Sequence, residues 1–532
     1  MSDPLPDPTL GKKRRRFPII AGAVVLLLVA GSLVTLVTTI ANLQHFRDVG
    51  YPDSAILLRV EEFSQTGKMY PDFNQPPYLI TPYGPLCYIL LGSVFKLAQI
   101  AGADPLTFVR FSIIASFCIC LSAVFRVSQR LYPERWMAWL SVLFAISAAP
   151  LSPWTTQIRG DLPALALSLS SICIYLTAAN RWRLVLSALC AGLALLVKQT
   201  FIAAPCAILI WFLWRRKFRE GLRWTAVVAL TVVSGYTVAF LREPLIFKHF
   251  AALGMSGLEF PGAVRLMGEA FSQPQAVFGL IGLFLAMREY GSDKLLLGSY
   301  CLVSWIVALL TVCQVGGNSN YFWEPLLASA VLAGPGFVWF IRKLTPAPIS
   351  LKVSTAIILI YVFFPVVKTQ ILQTAISYGR LKTHDHAKAE WNSFVAKVAG
   401  HRLLSTFPDL SIHSRTPEIP DPFLNTVLAR RGQWSFAPIL REIRAGNYDI
   451  VVINPDLASG VSFHRGVGIW TPDVWQALST NYAQVCVLQN MEIWLPRVHS
   501  SSLLNSLAIT ECKFTSPEVN FDTIHPSFHP KH

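Results

Sequence analysis

Charge is what this sequence has least of. Only 14% of its 532 residues are Asp, Glu, Lys or Arg, where a soluble domain carries about a quarter. That shortage excludes an ordinary soluble enzyme. Acid is scarcer than base: 30 Asp and Glu stand against 45 Lys and Arg, for a net charge of +15. In a soluble chain such an excess would suggest nucleic acid. Here the Lys and Arg cluster between apolar runs and so anchor topology, and no nucleic-acid partner is expected. A disulfide framework is missing as well. Eight of the ten cysteines (Cys87, Cys118, Cys120, Cys173, Cys190, Cys206, Cys301 and Cys313) lie in or beside apolar segments, where Cys behaves as a small hydrophobe. Only Cys486 and Cys512 lie in polar sequence, and they would pair only in an oxidising compartment. The inverted repeat typical of secondary transporters is absent. The start lacks a small-residue cleavage site, so its apolar part, 17–41, reads as an uncleaved first span rather than a secretory signal.

What is present is apolar: 53% of the residues are hydrophobic. Runs near twenty residues recur through the first 370 positions, each long enough to cross a ~30 Å hydrocarbon core. The pattern predicts about eleven spans, at 18–40, 106–126, 136–152, 161–179, 184–197, 200–214, 223–241, 274–287, 295–313, 324–342 and 353–367. With the Lys12–Arg16 cluster cytoplasmic, the basic loops around Arg126–Arg135, Arg181–Arg183, Arg215–Arg223, Arg288–Lys294 and Arg342–Lys352 all fall inside. The segment 85–102 is apolar enough to span. Crossing there would move the Arg126–Arg135 loop outside, so 85–102 is expected to be an interfacial helix of the first outer loop. The expected fold class is therefore an all-α polytopic membrane protein with a small C-terminal α/β domain. Its parts are a cytoplasmic N-terminus at 1–17, a transmembrane domain at 18–370 with a large first outer loop at 41–105, a periplasmic α/β domain at 371–497, and a flexible tail at 498–532. The α/β expectation rests on strand-like runs HRLLSTF, YDIVVIN, YAQVCVL and MEIWLP alternating with helix-like DPFLNTVLARRG and FAPILREIRAG. His525, His529 and His532 fall in the tail and read as part of an unstructured end.

Chemistry-bearing residues gather on the outer side of this topology. Asp53 follows span one and precedes a helical run, so it reads either as a general base for an acceptor hydroxyl or as a helix N-cap. Glu61 and Glu62, about two turns on, read as a solvated face or as alternative candidates for the base. Arg159 and Asp161 open a later span on the same side, with Pro163 in its first turn. Two carboxylates and an arginine near one cavity would organise an acceptor, bind a divalent cation or hold a phosphate. The spacing identifies no metal; Asp53 and Asp161 are possible ligands here, and the tail histidines His525, His529 and His532 are the other residues that could bind one. Lys198, between two short helices and flanked by Gln199 and Thr200, is a recessed ammonium that needs an anion: a lipid phosphate, or Asp161 itself. Asn318, Asn320, Tyr321 and Glu324 form a polar cluster at a helix mouth, suited to ligand contact or to capping. Arg242, Lys248 and His249 begin a later outer loop and are further phosphate candidates.

In order and sidedness, these features resemble the GT-C class of membrane glycosyltransferases, nearest the family 39 and aminoarabinose-transferase-like enzymes. The resemblance covers roughly 18–370. It is carried by Asp53 after span one, Gly67 ending a helix, Tyr83-Gly84-Pro85-Leu86 opening an interfacial helix, Arg159-Asp161 at a later span, and the KQT and NYFWE runs. Ser54 stands where a second acid often follows the first. The resemblance implies a GT-C helical core and transfer, with inversion, of a hexosyl or pentosyl group from a polyprenyl-phosphate donor to a glycan, lipid or protein acceptor. The transfer would occur at the outer face of the cytoplasmic membrane. It implies Asp53 as base, Asp161 orienting acceptor or cation, and Lys198 holding the leaving phosphate, with Tyr83, Arg159, Arg242, Asn320, Tyr321 and Glu324 as substrate contacts. Two alternatives stand beside it: a transporter or flippase of a lipid-linked or anionic substrate, and a glycan polymerase or ligase outside GT-C.

Overall fold

The computed structural model describes residues 19–50, 53–148, 152–179, 181–254, 257–288, 293–414, 417–419, 421–454, 469–488, 491–498 and 513–514. The Lys12–Arg16 cluster, nearly all of the 498–532 tail with its three histidines, and Cys512 lie outside them. Fifteen principal helices come first: α1 Ile19–Leu43, α2 Asp53–Thr66, α3 Pro85–Ile100, α4 Pro105–Leu131, α5 Arg135–Ile146, α6 Asp161–Thr177, α7 Arg183–Val197, α8 Ala203–Trp214, α9 Phe218–Arg242, α10 Ile246–Gly254, α11 Phe260–Phe271, α12 Pro274–Arg288, α13 Asp293–Thr311, α14 Trp323–Leu344 and α15 Ile349–Val398. Every span expected from hydropathy overlaps one of them. Among the described residues, six (α1, α4, α9, α13, α14 and α15) have the length and composition to cross a membrane, and a seventh if the bent pair α11–α12 counts as one. The others, including α3, α5, α6, α7 and α8, are shorter apolar helices. The expected break between 184–197 and 200–214 is found: α7 ends at Val197 and α8 begins at Ala203.

Apolar burial orders the bundle. Helix α6 is buried on nearly every face, as a helix hydrophobic all round must be, and it packs on α4 and α7. Helices α12 and α14 meet so closely that a Cβ on Gly282 would lie 2.0 Å from the Leu332 carbonyl oxygen, the backbone approach that small residues allow between membrane helices. The segment between α2 and α3 is held down by polar staples. His249 on α10 is fully buried. Its Nε2 meets the Pro71 carbonyl at 2.8 Å and its Nδ1 accepts from Thr81 N–H at 2.9 Å. Glu243 accepts from the Met69 and Tyr70 amides. Helices α10 and α11 were not legible as elements in the sequence.

The largest departure from the sequence reading is α15. It leaves the apolar stretch near Lys368 and runs on to Val398 without a break, 50 residues in all. Hydropathy falls there, but between Pro365 and Gly400 the sequence contains no proline and only Gly379, so nothing stops the helix. Trp391, Phe394 and Val398 at its far end pack into a five-stranded sheet. The strands are β1 Leu403–Ser405, β2 Ile450–Ile453, β3 Tyr482–Leu488, β4 Met491–Pro496 and β5 Lys513–Phe514, in the order β1-β2-β4-β3-β5. Only β1 and β2 pair in parallel; the other ladders are antiparallel. The β1–β2 crossover carries helices Pro422–Arg430 and Ala437–Arg444, so the helix-like and strand-like runs alternate as expected. Cys486 on β3 is disulfide-bonded, while the eight cysteines of the apolar segments are free.

Candidate active site

Two carboxylates open two helices on the same side of the bundle, and different partners surround them. Asp161 is the first residue of the buried helix α6. Its Oδ1 accepts from the Lys198 ammonium at 2.5 Å and from Asn320 Nδ2 at 2.7 Å, and its Oδ2 accepts from the Tyr83 hydroxyl at 3.2 Å. Lys198 sits where α7 ends, its backbone turned to φ −150°. Its Nζ also lies 4.8 Å from the centre of the Tyr321 ring and 5.8 Å from that of Tyr83, a distance at which a cation is drawn to the ring face. Tyr83 is brought here because Gly84 touches the end of α7. The Gly84 N–H donates to Val197 O at 2.9 Å, and a Cβ on Gly84 would stand 2.1 Å from the Leu196 oxygen. Any other residue would push the loop, and Tyr83 with it, off the lysine.

Glu324, one turn beyond Asn320, faces the same space. It accepts from the Ser168 hydroxyl at 2.5 Å and the Tyr300 hydroxyl at 2.9 Å. Asp161, Lys198, Thr200, Asn320, Tyr321 and Glu324 line a cavity of about 20 Å³, room for roughly one water. Five of the candidate residues from the sequence (Asp161, Lys198, Asn320, Tyr321 and Glu324) therefore converge on one cavity, with Tyr83 at its wall.

Asp53 lies in a second, adjoining environment at the start of α2. It is 1% exposed. Its Oδ2 accepts weakly from the Val49 N–H at 3.3 Å, and its buried Oδ1 has no hydrogen-bond partner among the described residues. Burial pushes its carboxyl up to about 6, against the pull of the Arg110 and Arg159 charges. Arg159 lies in the field of both Asp53 and Asp161 and stacks on Trp154 at 4.6 Å, so it couples the two acids.

Arg110 was missed by the sequence reading. It is fully buried on α4 and donates to the carbonyl oxygens of Asn42, His45 and Arg47, which folds the α1–α2 connector beneath Asp53. The available signal was an arginine inside an otherwise apolar run, a position that calls for a function. Other candidates stand apart. Arg242 is exposed at the end of α9, Lys248 pairs with Asp72 at 2.8 Å, and His249 is consumed in clipping the outer loop. Glu62 pairs with the buried Arg59 and Glu61 bonds Gln65.

A divalent cation does not fit these acids. Both Asp161 oxygens already accept from an ammonium, an amide and a phenol, and Asp53 faces two guanidinium groups. Among the described residues no three His, Cys, Asp or Glu side chains gather as a metal would require.

Residues 85–238 match the family model described as dolichyl-phosphate-mannose-protein mannosyltransferase. No curated protein sequence matches the chain. Among solved structures, the chain is similar to ArnT from Cupriavidus metallidurans in the apo state (TM-score 0.56, 15% identity, covering 89% of this chain and 98% of that one). It is similar to the same protein bound to undecaprenyl phosphate (0.54, 16%, 89% and 98%). It is also similar to the archaeal oligosaccharyltransferase AglB from Archaeoglobus fulgidus, in complex with an inhibitory peptide and a dolichol-phosphate (0.51, 12%, 87% and 72%). At these identities the likeness is one of fold. With its apolar helical bundle and its C-terminal sheet, the chain is a membrane protein with the GT-C glycosyltransferase fold.

Proposed function

We propose that the protein transfers a hexosyl or pentosyl group from a polyprenyl-phosphate donor to a hydroxyl acceptor at the outer face of the cytoplasmic membrane, with inversion. The observation that carries this reading is the contrast between the two acids. Asp161 is saturated by donors and is a poor base. Asp53 has a buried oxygen without a hydrogen-bond partner among the described residues and a carboxyl raised to about 6, near the operating pH that general-base catalysis favours. In the proposed step the acceptor oxygen attacks the sugar's anomeric carbon. The bond from that carbon to the phosphate oxygen breaks, and the acceptor proton passes to Asp53. The phosphate leaves with both electrons of the broken bond, towards Lys198, whose ammonium has hydrogens beyond the one given to Asp161. Tyr83, Asn320 and Tyr321 set the lysine's position, and Arg159 holds the relation of the two acids. Donor chemistry of this kind is supported by the undecaprenyl phosphate bound to ArnT and the dolichol-phosphate bound to AglB.

The reading is tested by incubating the purified protein with a labelled undecaprenyl-phosphate sugar and candidate acceptors. Label should become covalently bound to acceptor; label that crosses vesicles without changing partner would return the protein to the transporter class. The pH dependence has a definite sign. Asp53 accepts a proton only when ionised, so transfer should be low below about pH 6, rise through about 6 and level off above it. A rate that is flat from pH 5 to 8 would remove Asp53 as the base.

Sidedness is supported by the exposed Arg215 and Arg216 at the α8–α9 turn. A reporter fused near Arg130 should read cytoplasmic, and one fused after Gly400 periplasmic. The opposite pattern would put the acids on the wrong side for an outer-face acceptor.

A further inference from the structure

A larger cavity lies outside the Asp161–Lys198 site. It measures about 350 Å³, at the lower end of the roughly 300–1,000 Å³ of ligand pockets. Three parts of the chain build it: the α1–α2 connector, the outer half of α15, and the turn after β1. Arg47 is its fixed centre. The guanidinium lies 4.1 Å from the Trp391 ring centre and 5.4 Å from that of Phe407, and its Nε donates to Asp409 Oδ2 at 2.8 Å. Asp48 lies beside it. One oxygen of Asp48 accepts from the Ser54 hydroxyl, while the other is buried without a hydrogen-bond partner among the described residues. A buried carboxyl oxygen left unsatisfied costs about 1–3 kcal/mol or more, so its retention beside a cavity points to a donor that arrives from outside.

The charge balance selects that donor. Arg47 and Asp409 neutralise each other. Burial, with the charges of Asp409 and Asp53, pushes the Asp48 carboxyl well up towards its neutral form. Burial and three nearby arginines hold His45 down to about 3, so it too is uncharged. With the Arg47–Asp409 pair internally neutralised and Asp48 and His45 uncharged, the described residues of the cavity offer no counter-charge to either a cation or an anion. A hydroxyl both gives and accepts hydrogen bonds, so it satisfies the acid and the guanidinium together. The place is also right. Val49 and Gly50 line the cavity, and the same two residues hold Asp53 through the Val49 N–H and the Gly50 carbonyl.

We propose that this junction cavity is the acceptor subsite, and that it takes an uncharged saccharide whose hydroxyls donate to Asp48 and accept from Arg47. The sheet region then selects the acceptor, because Phe407 and Asp409 belong to it. Calling the saccharide an acceptor rests on the transfer reading above; its binding does not.

The test uses the full chain in detergent and saturation-transfer NMR with a panel of methyl glycosides (mannoside, glucoside, galactoside and arabinoside). At least one should receive saturation. Ala387→Trp fills the cavity from α15 without removing any hydrogen bond, and should abolish the signal at an unchanged melting temperature. Asp48→Ala, which removes the carboxyl group altogether, should weaken binding on the order of tenfold, as loss of a hydrogen-bonding partner does. Undecaprenyl phosphate binding, measured on the same samples, should be unaffected by Ala387→Trp. No saturation of any glycoside by the parent protein overturns the proposal, and so does a glycoside signal that survives Ala387→Trp. Glycoside binding without label transfer to any acceptor would sink the transferase reading and leave this site standing.

Discussion

Asp53→Asn should lower transfer by roughly 10²–10⁴-fold, the usual contribution of a general base, with donor binding and folding kept. The amide is the same size and still offers an oxygen to the Val49 N–H at the start of α2, but it cannot take a proton from the acceptor. Stability argues the same way once the sign is followed. The folded-state value for Asp53, about 6, lies above the ordinary 3.8. Its neutral form therefore favours the fold at low pH, and that contribution is lost as pH rises through about 6. At neutral pH the parent holds a desolvated carboxylate that the amide lacks, so the variant should melt no lower than the parent. Glu61→Gln and Glu62→Gln are the controls. Neither residue faces the site: Glu62 is tied to Arg59 and Glu61 to Gln65. Both variants should transfer at near-parental rates. Parental activity in Asp53→Asn, measured as label moved per minute at saturating donor, would refute the assignment of the base whatever the controls show.

Much of this was legible because membranes constrain sequences severely. Hydropathy located the principal apolar helices though not α10 and α11, and the shortness of 184–197 and 200–214 exposed the break at Lys198, because two half-length helices leave their junction below the surface. Pairing between distant residues was harder to read. Lys198 had two candidate anions in the sequence, and only the geometry shows the ammonium on Asp161 at 2.5 Å. Asn320 and Tyr83 reach that same carboxylate from 159 and 78 residues away, and no local pattern encodes such distances. Arg242, read from the sequence as a surface cation or a further phosphate contact, stays exposed. The junction cavity could not be foreseen, because the sequence drops in hydropathy near residue 370 while the helix does not end there. Only the uninterrupted α15 carries Trp391 back over the α1–α2 connector.

Lys198→Ala should have two effects, and separating them decides what the lysine does. The Lys198–Asp161 pair is buried, with side-chain exposures of 10% and 2%. Removing one partner of such a pair costs about 3–5 kcal/mol, because the remaining charge stays desolvated. The single variant should therefore melt well below the parent, and its loss of function alone proves nothing about phosphate. The informative variant is the double change Lys198→Met with Asp161→Asn. It removes both charges together, keeps comparable volume, and leaves an amide whose oxygen still accepts from Asn320 Nδ2 while its NH2 donates to the Tyr83 hydroxyl oxygen, so most of the stability should return. If the ammonium meets the donor's phosphate, the double variant should still bind undecaprenyl phosphate more weakly by on the order of 10–100-fold, the worth of a hydrogen bond to a charged group of about 1.5–3 kcal/mol. Lys198→Arg should keep part of the affinity, since a guanidinium also binds phosphate, though with a larger head than the space of about 20 Å³ admits without shifts. A folded double variant with parental affinity for undecaprenyl phosphate would leave Lys198 as the internal counter-ion of Asp161 and nothing more. The leaving group would then have to be met by another cation.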